Sequence, residues 1–275
     1  MNSAVLLAVL VARPAAPLAA KRGFGAKPKA KKAKPALDGA ARRCLDEHGG
    51  DVDLAQAARF QARLDALRED DPALFADVVR TRRGDATARG RDALLALTWD
   101  TVADYLPTAG VDPEAERRLA EIASHARGSC LDVGCGDGAL ARHLGDLGGY
   151  VGLDLSARMV RAARKKHPDL RFERAGFFDA GGADGPFDTI LFVASLQFFP
   201  DVSAVLAACD EKLAPGGRVV VAHVRGAAFV RDEKRGNPSL VRELPAADEL
   251  AAGPFRVARA GADLEDFYLV VLERK

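Results

Sequence analysis

The chain has 275 residues, 48% hydrophobic and 29% charged. That is an ordinary globular composition, and it excludes a collagen-like, coiled-coil or wholly disordered chain. No run of 18 apolar residues occurs, so no membrane-spanning helix is read from the sequence. The net charge of +1 is unevenly placed: residues 1–36 hold eight basic side chains and no acid, leaving about −7 on the rest. An acidic body disfavours nucleic acid as the main partner. Four cysteines, Cys44, Cys130, Cys135 and Cys209, follow no metal-ligand or small-domain disulfide spacing. No metal site is expected, and a reducing compartment is the default.

Residues 1–36 read as an address. Residues 4–12 form a nine-residue apolar run, too short for a bilayer, followed by small residues up to Ala20 and then by KRGFGAKPKAKKAKP. The basic, acid-free stretch cannot bury enough apolar surface to order itself. The combination resembles an organelle-targeting presequence, plastid or mitochondrial. It departs from the plastid pattern in having no aromatic residue directly after the cut, Phe24 lying further on. Without such a role the chain would be cytoplasmic.

Residues 37–112 read as a helical N-terminal segment on the acceptor side of a larger domain at 113–275. Asp53 is placed to cap a helix through about Arg68, with Phe60, Leu64 and Leu67 on one face. Asp71-Pro72 starts a second helix bearing Leu74, Phe75, Val78 and Val79. A third runs from about Asp92 to Tyr105 with Leu94, Leu95, Thr98 and Val102 together, ended by Pro107 and Gly110. Asp112-Pro113 repeats the cap-and-proline start.

From Ser129 the pattern alternates. SCLDV, YVGLD, LRFER, FDTILFVA and RVVVAHV read as strands. ALARHLGDL, ARMVRAARKK and DVSAVLAACDEKL read as helices between them, and PAADELAA as a short late helix. FRVARA and FYLVVLERK close the chain as strands with no room for a helix between them, which predicts an antiparallel ending. The fold class expected is α/β: a doubly wound, mostly parallel seven-stranded sheet with an N-terminal helical extension. Ligands bind such sheets at the carboxyl ends of the strands.

The chemistry gathers at the first two strand ends. Gly134 and Gly136 allow a tight turn and a close backbone approach to a ligand. The helix expected after Gly138 would point free N–H groups into the same space. Asp154, at the tip of the second strand, stands where a carboxylate can accept from ribose hydroxyls. These features point to a nucleoside. They also satisfy a loose dinucleotide pattern, which keeps an NAD(P)-dependent oxidoreductase in view.

LDVGCGDG, GLDLS, FDTILFVASLQFFPD and LAPGGRVVVAHV resemble, in order and spacing, four signatures of the class I S-adenosylmethionine-dependent methyltransferases. The resemblance covers about Glu114 to Lys275. It implies S-adenosyl-L-methionine as cofactor and methyl transfer to a small-molecule acceptor. By the same resemblance Asp132 lies near the methionine ammonium, the backbone of Gly134, Cys135 and Gly136 lies against the cofactor, and Asp154 holds the ribose. Leu155 and Met159 pack on the adenine. Ala194 and Gln197 border the methionine and acceptor side. The sequence departs at the adenine edge: Gly176 or Phe177 occupies the place where many relatives carry an acid, so Asp179, or a backbone carbonyl with Phe177 or Phe178 stacking, must serve. His223 and Gln197 are the weak catalytic candidates, His223 being read more readily as a structural histidine. A non-catalytic partner protein that keeps the fold is the other alternative. The acceptor and the oligomeric state are not legible.

Overall fold

The computed structural model describes residues 37–106, 112–145, 147–179, 183, 185–251 and 253–275. The expected presequence, and the helix end at Pro107 and Gly110, lie outside them. Among the described residues no helix is long and apolar enough to cross a membrane.

Among the described residues four helices come first. They are α1 (Gly39–Glu47), α2 (Val52–Asp70), α3 (Pro72–Arg82) and α4 (Ala88–Tyr105). The Asp38, Asp51, Asp71 and Thr87 side chains accept from first-turn amides, so each start is a short polar acceptor placed before a helix-forming run. The cap of α2 is Asp51, not Asp53, which sits in the first turn. Both carboxylates precede the same apolar pattern, and only Asp51 is one residue outside it. Phe60, Leu64, Val78, Leu94 and Leu95 form the buried seam of the bundle.

The sheet follows α5 (Pro113–Ala123). Its strands are β1 (Ser129–Val133), β2 (Gly149–Asp154), β3 (Arg171–Arg174), β4 (Phe187–Val193), β5 (Leu213–His223), β6 (Phe255–Ala260) and β7 (Tyr268–Arg274). The order is β3-β2-β1-β4-β5-β7-β6. The first five strands are parallel, and β7 runs antiparallel to β5 and β6. Helices α6 (Ala157–Lys166), α7 (Val202–Lys212), α8 (Gly226–Gly236) and α9 (Ala247–Leu250) complete the chain.

Strand alternation sends Leu131 and Val133 into one apolar layer and Cys130, with Tyr150 and Phe172, into the other. Both sheet faces are thereby covered, as the continuous apolar strands require. The reversal of strand order falls between β1 and β4, which puts the cleft above Val133 and Val193.

Two elements differ from expectation. ALARHLGDL forms no α-helix, only a 3-10 turn at Ala141–His143. Gly145 and the Gly148-Gly149 pair leave too few residues to repay helix nucleation, although Leu140 and Ala141 still bury on the sheet. In the other direction, α8 arises from GAAFVRDEKRG, a charged stretch with few apolar positions to announce it.

Candidate functional site

The first wall of the cleft is backbone. Gly134 turns at φ +72, and a Cβ there would lie 2.5 Å from the Ser195 Cβ. The loop is therefore pressed against the end of β4, and Ser195 Oγ fastens it by donating to the Val133 carbonyl at 2.5 Å. Gly136 also has positive φ, +54, but a Cβ there would meet nothing within 4 Å. The loop is tight behind and open in front, a cradle that a ligand can approach closely. Gly134 and Cys135 amides donate to the Leu153 carbonyl at 2.8 and 3.0 Å, tying the loop to β2.

Asp154 stands beside that opening. Its Oδ2 accepts from the Gly136 amide at 2.9 Å and its Oδ1 from the Ser156 amide at 2.8 Å. Each oxygen keeps a second lone pair for a ligand. Burial pushes this carboxyl up to about 6, against the pull of the Ser156 and Gly136 amides.

Asp132 is 1% exposed. It shares a sheet face with Tyr150, because Asp132 pairs with Gly152 and Tyr150 lies two residues earlier. The Tyr150 hydroxyl donates to Asp132 at 2.8 Å. Burial raises Asp132 to about 7; the Tyr150 bond opposes this and the Asp154 charge adds to it. A carboxyl so poised favours a cationic neighbour, which would let it ionise. Tyr150 escaped the sequence reading, though its offset of two from Gly152 was a usable signal.

Cys135 turns away from the opening. Its Sγ lies 2.9 Å from where a Gly152 Cβ would stand, and burial pushes its thiol far up. Its contribution to the cradle is main chain, and a thiolate nucleophile is disfavoured. Leu155 is half-buried against the N-terminal bundle. Met159 is buried, its amide held by Ser156 Oγ at 3.0 Å.

The loop after β3 divides its side chains. Phe177 is buried edge-on against Phe192 and Phe199, whereas Phe178 is 57% exposed. Asp179 accepts from the Gly176 amide at 2.6 Å, closing its own turn. Across from it, Asp92 of α4 is raised by burial and then by the charge of Asp179.

The far wall follows β4 and β5. Ala194 sits at φ +54, a left-handed conformation that is costly for a residue with a Cβ. Its amide is held by the Ala222 carbonyl at 2.8 Å. Gln197, 2% exposed, donates through Nε2 to the Ala194 carbonyl at 3.1 Å. His223 is buried, and its Nδ1 accepts from the Arg225 amide at 3.2 Å. That leaves the ring proton on Nε2. The ring stacks on Phe229 at 5.5 Å, and burial, with the Arg225 charge, lowers it to about 4. A neutral histidine whose free lone pair is already used is a poor base.

Helix α4 joins the two walls. Asp100 Oδ1 accepts from Ser156 Oγ at 2.6 Å and from the Arg158 amide at 3.0 Å, a cap on α6 supplied by another helix. Asp104, its side chain fully buried, binds Arg59 at 3.0 Å, Arg63 at 2.8 Å and also Arg158. At the other end of α4, Arg91 donates to the carbonyls of Phe198 at 2.9 Å, Leu240 at 3.0 Å and Ser239. Trp99 meets Phe198 edge-on at 5.9 Å. The helix is thus pinned to the end of β2 on one side and to the segments after β4 and α8 on the other.

Residues 131–219 match the family described as "Methyltransferase domain". Curated relatives include the ubiquinone biosynthesis O-methyltransferase of Thiobacillus denitrificans, 32% identical over 127 residues, 44% of this chain and 55% of that protein. The protein of the same name from Pasteurella multocida is 32% identical over 138 residues, 43% of this chain and 56% of the relative. The chain spans about half the length of the curated relatives it matches. Among solved structures, a chain from the complex between the Haloferax volcanii Trm112 methyltransferase activator and a methyltransferase shares the fold. There the match covers 64% of this chain and 94% of the other, with a TM-score of 0.51 and 17% identity.

Proposed function

We propose that this chain, whose residues 131–219 match a methyltransferase domain, transfers a methyl group from S-adenosyl-L-methionine to the hydroxyl of a small-molecule acceptor. The observation that carries this reading is the cradle: Gly136 open in front, Asp154 tied beside it, and Asp132 buried in want of a cation.

The residues fit the cofactor. Asp154 has lone pairs for two ribose hydroxyls, and Asp132 offers charge compensation to the methionine ammonium, directly or through water. The main chain of Gly134, Cys135, Gly136 and Ala194 would line the methionine arm. Leu155, backed by Met159, would flank the adenine. At its edge Asp179 supplies an acceptor, and Phe178 the exposed ring that Phe177 cannot offer. The sulfonium supplies an electrophilic methyl, so the protein need only position the acceptor and exclude water.

Residues 37–112 would roof the cleft and select the acceptor, since α4 is fastened to both of its walls. The O-methyltransferase names of the relatives favour a hydroxyl acceptor over an amine. Residues 1–36, with their apolar run and basic stretch, would serve as an organellar address.

Calorimetric titration with S-adenosylmethionine tests the cofactor. The full chain should bind it in the micromolar range, and Asp154→Asn should weaken binding at least tenfold. A folded protein that shows no heat of binding would contradict the proposal.

A further inference from the structure

Helix α8 buries a charge that cofactor binding does not use. Glu233 is 4% exposed, and the Gln197 side chain, in the turn after β4, acts on its carboxyl and pulls it down against the rise that burial causes. Two acceptor atoms are left over: Glu233 Oε2 and Gln197 Oε1 are both buried with no hydrogen-bond donor. Buried acceptors are ordinarily satisfied, and among the described residues neither oxygen has a donor.

The neighbouring cations are committed elsewhere. Arg225, the charged group that acts on Glu233, is exposed and lays its guanidinium over the Phe229 ring, 3.9 Å from the centroid. Arg91 spends its donors on main-chain carbonyls of the adjoining segments. His223 Nδ1 already accepts from the Arg225 amide.

A ligand's hydroxyl could supply a donor to this pair, and its class follows from the surroundings. Gln197 also holds the strained Ala194 at the mouth of the cleft. Trp99, Phe198 and Phe229 are half-buried rings beside the same segments, and flat apolar walls suit an aromatic acceptor. A phenol ionises near 10 in water, within reach of a carboxylate that burial has raised to about 7. An alkyl alcohol is far weaker as an acid.

We propose that Glu233 and Gln197 seat the hydroxyl of an aromatic acceptor, and that Glu233 takes its proton as the oxygen is methylated. This rests on the methyl-transfer reading above. In the step the O–H bond breaks toward Glu233 Oε2, and the oxygen pair forms the new O–C bond. The C–S pair stays on sulfur, so carboxylate and sulfonium become carboxylic acid and neutral thioether.

4-Nitrocatechol, a phenol whose ionisation is read by its visible absorbance, serves as the probe. It is titrated into the full chain in the presence of S-adenosylhomocysteine at about pH 7, where the Glu233 carboxyl is partly ionised and the free probe only partly so. The wild type should bind it and raise the band of the ionised form. Glu233→Gln should weaken binding by about tenfold to a hundredfold and abolish that band. Its melting temperature and S-adenosylhomocysteine affinity should stay near wild type. Glu233→Asp should recover part of the band. Equal binding and equal ionisation by Glu233→Gln overturn the assignment, the orphaned oxygens then merely holding water. A wild type that binds S-adenosylhomocysteine but ignores nitrocatechol also overturns it. If the wild type does not bind S-adenosylhomocysteine, the methyl-transfer reading falls and takes this assignment with it.

Discussion

The two sides of the cleft are made of different material. At the ends of β1 and β2 the wall is main chain: Gly134 and Gly136 in left-handed turns, one carboxylate tied to two amides, and Ser195 buttressing the loop. At the ends of β4 and β5 it is side chain: Gln197, His223, Glu233 and the side chains of α4, contributed by separate segments. A backbone wall binds what every member of a fold binds, because its shape depends on few residues. A side-chain wall can be rebuilt one residue at a time, and the proposal above puts acceptor choice there.

The strongest way to break this comparison is to unpin α4. Asp104→Ala leaves Arg59, Arg63 and Arg158 without their shared, fully buried carboxylate. A loss of about 3–5 kcal/mol is expected for such a pair broken on one side. Calorimetric melting should fall by roughly 10 °C, with acceptor turnover lost before cofactor binding.

Next comes Gly134→Ala. A Cβ there would lie 2.5 Å from the Ser195 Cβ at φ +72, so strain and overpacking together cost about 3 kcal/mol. Chemical denaturation should show it as a lower midpoint with an unchanged slope.

The buried Asp132 gives a pH signature. Its carboxyl is held near 7 when folded, against about 3.9 when unfolded. The folded state therefore holds a proton that the unfolded state has lost between these values. That stability is fully present below about pH 4 and is lost as pH rises through about 7. Asp132→Asn has no such dependence, so its melting temperature should gain on wild type by several degrees from pH 4.5 to 8. A constant difference across that range would contradict the assignment. S-adenosylmethionine should narrow the wild type's loss by offering a cation to the ionised form.

The smallest effect on stability should come from Gly136→Ala, where a Cβ meets open space. The left-handed φ alone costs about 1 kcal/mol, a shift of roughly 2–4 °C. Because that Cβ would occupy the cradle, cofactor affinity should still fall at least tenfold by calorimetry. Gly134 and Gly136 thus separate folding from binding within one loop.

The same difference in material explains what could be read in advance. Alternating apolar strands, the glycine loop and Asp154 at a strand tip were legible because each is a local pattern with a local reason. The antiparallel ending was legible from the missing crossover between β6 and β7. The cap at Asp51 was misplaced by two residues, since two aspartates precede one apolar run. ALARHLGDL has a helical pattern but is cut short by glycines, so periodicity alone misled. Tyr150 and Asp100 act across strands and helices, and no spacing along the chain pairs Asp100 with Ser156. Glu233 was invisible because the charged stretch that forms α8 carries few apolar positions to mark it as a helix; only the tertiary fold turns one of its charges inward.

Hydrogen exchange on the full chain, with and without S-adenosylhomocysteine, tests the division most directly. The account predicts new protection at residues 133–138 and 154–159, with α8 little changed until a phenolic probe is added. Protection centred on α8 with the ligand alone, or none at the glycine loop, would contradict it.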